Sequence, residues 1–458
     1  MSGLRARGLG PAAAVAALAA REATRAAWVR AVAVALVLGP AVIAATSSGD
    51  GSAVGRLRAF VSWSVDLVGV CLTLTAVFLA AGLASRLRRG ELTQLACGPL
   101  GRVGLVAGWS GGVAAVGAGL AAIALVTVGL GAAALAARAD PADRPALRQA
   151  LTAWARVEPR PPDPAAVAAA VAARLSDLRR TGQAPADGEG GDDLARALEA
   201  EVRLGLRSVR PGQTIGWTFS GVRPGPEVRE LTLRFRFDVD EARETGRVTQ
   251  REIPGRFWFR APGSQEASSL DGTWRGGRPV ELRAPVEVLE GSHEVELLFT
   301  SRAPPGSTVV FPREGPRLIH EAGGLASNAL RAGLLLAARV GFLAAVTAVA
   351  AALLDANLAA LAGLFALFLG AAHGFLADAL VPGTFGLLDG PLRGLASAAL
   401  AAGADLSRVD VADALATGQA IPWAEVGRAV GLDLVLRGGL ALSVGGALFA
   451  RRELGALR

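Results

Sequence analysis

Six apolar stretches constrain this chain more than any other feature. They run over residues 27–45, 60–83, about 113–136, 329–354, 358–377 and 430–450. A hydrocarbon core about 30 Å thick needs roughly 20 apolar residues at 1.5 Å per residue, and each stretch meets that length. A polar insert, Arg138 to about Ala326, separates the third stretch from the fourth. The expected fold is an α-helical multi-pass membrane protein of six transmembrane helices, with an inserted extracytoplasmic α+β domain. Composition agrees. Of 458 residues 52% are hydrophobic and 19% charged, a mixture too apolar for a soluble protein and too charged for a pure membrane bundle. The expected domains are 1–137 (an elbow helix and transmembrane helices 1–3), 138–326 (the insert) and 327–458 (transmembrane helices 4–6).

Charge sets the orientation. The formal net charge is +7, which by itself would suggest nucleic acid. Its placement excludes that partner. The stretch from Arg138 to Glu321 holds 27 Arg and 27 acidic residues, so the excess lies elsewhere. Most of it sits in three clusters beside apolar runs: Arg5, Arg7, Arg21, Arg25 and Arg30; Arg86, Arg88, Arg89 and Arg102; and Arg451, Arg452 and Arg458. That is the positive-inside pattern. With six spans both termini fall in the cytoplasm, the protein lies in the cell (inner) membrane, and the insert faces outward.

The chain has no lysine, so all 47 basic residues are arginine. Without lysine there is no Walker A loop, no Schiff base and no pyridoxal chemistry. Three His and two Cys at unrelated spacings give no metal site, and no cofactor is expected. His293, His320 and His373 read as structural. Cys71 and Cys97 read as free thiols, and Asp238, Asp240 and Glu241 as a solvated turn. No nucleophile, base and orienter come together, so the chain is not expected to be an enzyme.

Residues 8–26 read as an Ala-rich interfacial elbow. Gly104, Gly108 and Gly112 recur every four residues, which leaves one helix face bare for close packing. In the insert, 138–208 reads as helical, with helices over 165–180 and 192–207. From Val209 the period changes to two: Leu231-Thr232-Leu233-Arg234-Phe235-Arg236-Phe237 alternates cleanly. Six or so short strands predict an antiparallel β-sandwich over 209–312, with its aromatics in the core. Asp355-Ala356-Asn357 is the turn between spans four and five. Residues 379–428 are expected to form an outer loop with a short helix from Pro391 to Ala402.

Charges within the apolar stretches stand out, because each costs about 2.5–3.5 kcal/mol or more at the bilayer centre. Asp66 lies in span two and Arg339 near the middle of span four. Asp433 and Arg437, four apart, can pair on one face of span six. Asp66 and Arg339 are expected to pair or to share a wet cavity.

The loop after span two reads Ser85-Arg86-Leu87-Arg88-Arg89-Gly90-Glu91-Leu92-Thr93-Gln94-Leu95-Ala96-Cys97-Gly98-Pro99-Leu100-Gly101-Arg102. A basic helix end, then Gly-Glu-Leu, a second Leu, Pro and Arg, resembles the permease subunits of type-2 ABC exporters. The end of the chain, Gly446-Ala447-Leu448-Phe449-Ala450-Arg451-Arg452-Glu453-Leu454, is similar to that family's closing pattern. Asp405-Leu406-Ser407-Arg408-Val409-Asp410 and Gly418-Gln419-Ala420-Ile421 look like the subgroup related to copper-enzyme maturation permeases. The likeness covers roughly 15–136 and 327–458; the insert departs from it. It implies that Gly90, Glu91, Leu92, Leu95, Pro99 and Arg102 form a coupling helix docked on a separate ATP-binding-cassette ATPase subunit. It also implies a second permease copy or homologue as partner. From the residues, Leu92 and Leu95 share an apolar face without an obvious partner in the chain. The alternative is a non-transporting membrane scaffold that displays a β-sandwich binding module for a polysaccharide or an envelope protein.

Overall fold

The structure, a computed structural model, describes residues 10–47, 49–92, 101–181, 191–224, 228–241, 252–264, 266–289, 291–312, 315–380 and 391–451. It divides into two compact units, Met1–Ala153 with Gly323–Arg458, and Trp154–Ala322.

The first unit is helical. Helix α1 (Pro11–Arg25) starts on a proline, whose missing N–H costs nothing in the first turn. It buries Val15, Ala19 and Ala23, one residue per turn on a single face. After α2 (Ala27–Thr46), Ser52 caps α3 (Ala53–Arg88) by accepting the Gly55 N–H at 2.9 Å. Helix α4 runs from Gly101 to Arg138 and α5 from Arg144 to Ala150. Gly108 and Gly112 of α4 seat α1. A Cβ on Gly108 would stand 2.6 Å from the Ala12 carbonyl oxygen, and the same backbone approach holds between Gly112 and Ala16. The four-residue glycine spacing thus lets two helix backbones touch.

The second unit holds α6 (Pro164–Arg180), α7 (Gly191–Gly205) and most of the strands. These are β1 (Thr152–Val157), β2 (Ser208–Val209), β3 (Thr214–Ser220), β4 (Glu230–Phe235), β5 (Asp238–Glu241), β6 (Glu252–Arg260), β7 (Ala267–Arg275), β8 (Val280–Pro285), β9 (Glu294–Ser301), β10 (Ser307–Val310) and β11 (Arg317–Gly324). They form separate sheets in the orders β1-β11-β4-β8, β2-β10-β5 and β3-β9-β6-β7. Period-two alternation explains the core. Leu231, Leu233 and Phe235 point inward from β4, Phe257 and Phe259 from β6, and Leu297 and Phe299 from β9. Phe235 of one sheet meets Phe257 of another at 4.7 Å between ring centroids. The outward positions carry cross-strand ion pairs at registered partners: Arg256 with Asp271 at 2.6 Å and Arg260 with Glu296 at 2.7 Å. The sheets extend past the expected 209–312 boundary, because β11 pairs with β4 inside its sheet.

The chain returns to the helical unit as α8 (Leu325–Leu353), the most buried of its long helices. Asp355 caps α9 (Ala356–Ala371) by accepting the Leu358 N–H at 2.8 Å. Then come α10 (His373–Ala379), α11 (Pro391–Ala402), α12 (Val411–Ala416, capped by Asp410) and α13 (Trp423–Arg451). Within α13, Ala429–Gly438 is a π-helix.

Among the described residues five helices are long and apolar enough to cross a membrane: α2, α3, α4, α8 and α13. The fifth expected span, 358–377, is interrupted. Helix α9 has 16 residues, about 24 Å, and stops before His373. The break is filled by a returning segment: the Leu406 N–H donates to the Gly370 carbonyl at 3.0 Å, and the Gly374 N–H to Ser407 Oγ at 3.2 Å. The expected outer loop holds its helix from Pro391 to Ala402, and its later part packs inward. Val411, Ala412, Leu415, Ala416 and Ile421 are buried in the core of the helical unit, with α12 against α3.

Candidate functional site

The arginines at the end of α3 meet several elements at once. Gly90 follows them with a φ of +74°, a left-handed turn natural to glycine. The turn folds Glu91 back on α3. Arg86 Nη1 stands 2.9 Å from Glu91 Oε2 and 2.9 Å from Glu22 Oε1 of α1, and Arg89 Nε lies 3.0 Å from Glu91 Oε1. Arg86 also lies over the Trp109 ring of α4, 5.6 Å from its centroid. Arg88 approaches Asp355 at 3.7 Å. At the start of α4, Arg102 donates to the Phe449 and Ala450 carbonyls at 2.8 and 2.9 Å. Those are open carbonyls in the last turn of α13, where a cation also meets the negative end of the helix dipole. One end of the helical unit is thereby tied together across α1, α3, α4, α9 and α13.

Burial pushes the Glu22 carboxyl above its ordinary range. Arg86 opposes that shift, and Glu91 adds to it. Among the described residues Glu22 Oε2 has no hydrogen-bond partner. Exposed pairs of this kind contribute about 0.2–1 kcal/mol each, so their geometry matters more than their stability.

Leu92 departs from its expected role. It is only 3% exposed and packs into the core of the helical unit, so its apolar face already has a partner within the chain. Leu95 and Pro99 lie outside the described residues, as does Cys97. Glu91 is accessible, its side chain 41% exposed.

The charges in the long helices form a second site. Asn328, Arg331 and Arg339 recur along one side of α8, and each donates to the returning segment. Asn328 Nδ2 bonds the Gln419 carbonyl at 2.8 Å while its Oδ1 accepts the Ile421 N–H at 2.8 Å. Arg331 Nη1 bonds the Ile421 carbonyl at 3.0 Å, and Arg339 Nη2 the Val409 carbonyl at 2.6 Å. Irregular backbone inside a helical bundle must satisfy its polar groups there, and these side chains do so. Arg331 also lies over the Trp423 ring, 5.2 Å from its centroid.

Asp433 and Arg437 pair within the π-helical segment. Arg339, Asp405, Arg408, Glu425, Arg428 and Asp433 line a cavity of about 20 Å³, room for one water. Asp66 is exposed and makes no bond to Arg339. Each instead has Asp410, the α12 cap, as an electrostatic neighbour. The structure therefore brings Arg339 and Asp433 to one cavity and leaves Asp66 outside it. Asn328 and Arg331 go unread in the sequence, and Asp410 is read only as part of the family resemblance. A polar residue beside an apolar helix start looks like an ordinary interfacial group, and nothing local shows that a distant loop will return to meet it.

His373 Nδ1 approaches Asp405 Oδ2 at 3.7 Å. His320 is buried on β11, and desolvation lowers its pKa below the ordinary range. Among the described residues no group of three or more His, Cys, Asp or Glu is placed to hold a metal. No family model, curated protein or solved structure matches the chain.

Proposed function

We propose that the chain is the permease subunit of an ATP-binding-cassette exporter, driven by a separate ATPase subunit and paired with a second permease copy or homologue. In this reading it crosses the cell membrane six times, with α9 and α10 together as the fifth crossing. Both termini are cytoplasmic, and the insert is an extracytoplasmic β-sandwich. The observation that carries the reading is the tie of five helical elements around the α3–α4 connection. Arg86 joins that connection to α1, and Arg102 joins it to α13. A push on the connection would reach α1, α3, α4 and α13 together, which is what an external ATP-driven stroke needs.

With Leu92 turned inward, docking rests on Glu91, the outward arginines Arg88 and Arg89, and residues 93–100. Co-purification tests it. A Walker-type ATPase should accompany the wild-type chain and be lost in Glu91→Arg combined with Leu95→Asp. Burial of Leu92 favours a second reading, the display scaffold, in which the insert alone is functional. Persistent absence of an ATPase, with a silent double variant, would select that reading.

A further inference from the structure

Three observations meet at the cavity between α8 and α13. The Arg339 guanidinium offers five donors, yet its one hydrogen bond to a described residue is to the Val409 carbonyl. Asp433 faces the same cavity, 8% exposed, and is paired with Arg437 of its own helix. Both members of that pair lie in the ten-residue π segment, whose i→i+5 bonding stores a residue of slack relative to an α-helix. The seam between the two helices is also lightly built. Gly341 receives Leu434, and Gly438 faces Ala345.

We propose that Arg339 and Arg437 are alternative partners of Asp433, and that their exchange is a two-position latch turning α13 against α8. In the arrangement seen, Asp433 is held by Arg437, and Arg339 serves the returning segment. In the other, part of the π segment tightens to α-helix and Asp433 reaches across the cavity to Arg339. Arg437 then extends to the interface on its long stem. The other charged groups facing the cavity are engaged: Arg408 with Glu425 at 2.9 Å, and Asp405 with Ser407 at 2.8 Å and His373 at 3.7 Å. Arg428 lines the same wall. The latch belongs to the chain itself and needs no ATPase.

The test uses the full chain in lipid nanodiscs, with Cys71 and Cys97 replaced by serine. Nitroxide labels at positions 330 and 440, both exposed, report the α8–α13 distance. The wild type should show a major and a minor distance. Arg437→Gln frees Asp433 for Arg339 and should raise the minor-to-major ratio about tenfold. Asp433→Asn removes the charge both arginines compete for and should abolish the minor distance. Opposite shifts from the two variants are expected. One unchanged distance in all three proteins would overturn the latch. So would the same shift from both variants, accompanied by equal loss of thermal stability, because a merely structural ion pair behaves that way.

Discussion

Single residues decide two features of the helical unit. Gly108 and Gly112 let α1 lie backbone to backbone on α4, so Gly112→Val should detach α1. We expect a loss of about 1–3 kcal/mol, read as a lower melting temperature and as new proteolysis between α1 and α2. Glu22 decides the other. Its folded pKa is raised by burial, so the folded chain binds the Glu22 proton more tightly than the unfolded chain does. The stability that this proton contributes is present below the ordinary glutamate pKa of 4.5 and is lost as pH rises through the folded value. Glu22→Gln should remove that slope and melt no lower than wild type at neutral pH. A melting curve whose pH dependence is unchanged by the substitution would show that Glu22 is not its source.

At the scale of elements, β11 is the informative strand. It lies between β1 and β4, so a fragment cut at 209–312 loses an interior strand. Residues 154–322 expressed alone should unfold cooperatively, and residues 209–312 should not; calorimetry distinguishes them. His320, buried on β11, has a lowered pKa, so the unfolded chain binds the proton more tightly. Stability of the fragment should therefore fall as pH drops below 6.5, and His320→Phe should flatten that fall. Strand alternation was legible because the insert buries one face of each strand, as at Leu231, Leu233 and Phe235. The long helices were legible because length and hydropathy alone define them. The break at Ala372 and the burial of Val411–Ala416 were not. Both depend on Leu406 and Ser407 returning from more than thirty residues away to bond Gly370 and Gly374, and no local pattern encodes that contact. Leu92 shows the same limit, because a leucine three residues before another looks identical whether its face is covered by a partner or by its own chain.

At the scale of the whole molecule, the proposed function has one end of the helical unit receive force from outside the chain. The arginines of α3 and α4 gather α1, α9 and α13 around the Gly90 turn, while the charged side chains of α8 hold the returning segment. The measurement that tests this most directly is site-specific photo-crosslinking from position 91 in intact cells, followed by identification of the captured protein. The account predicts an ATPase bearing a Walker A lysine, captured at position 91 and not at position 258 on the insert. Capture of lipid alone at position 91, with no ATPase under conditions of active growth, would contradict it.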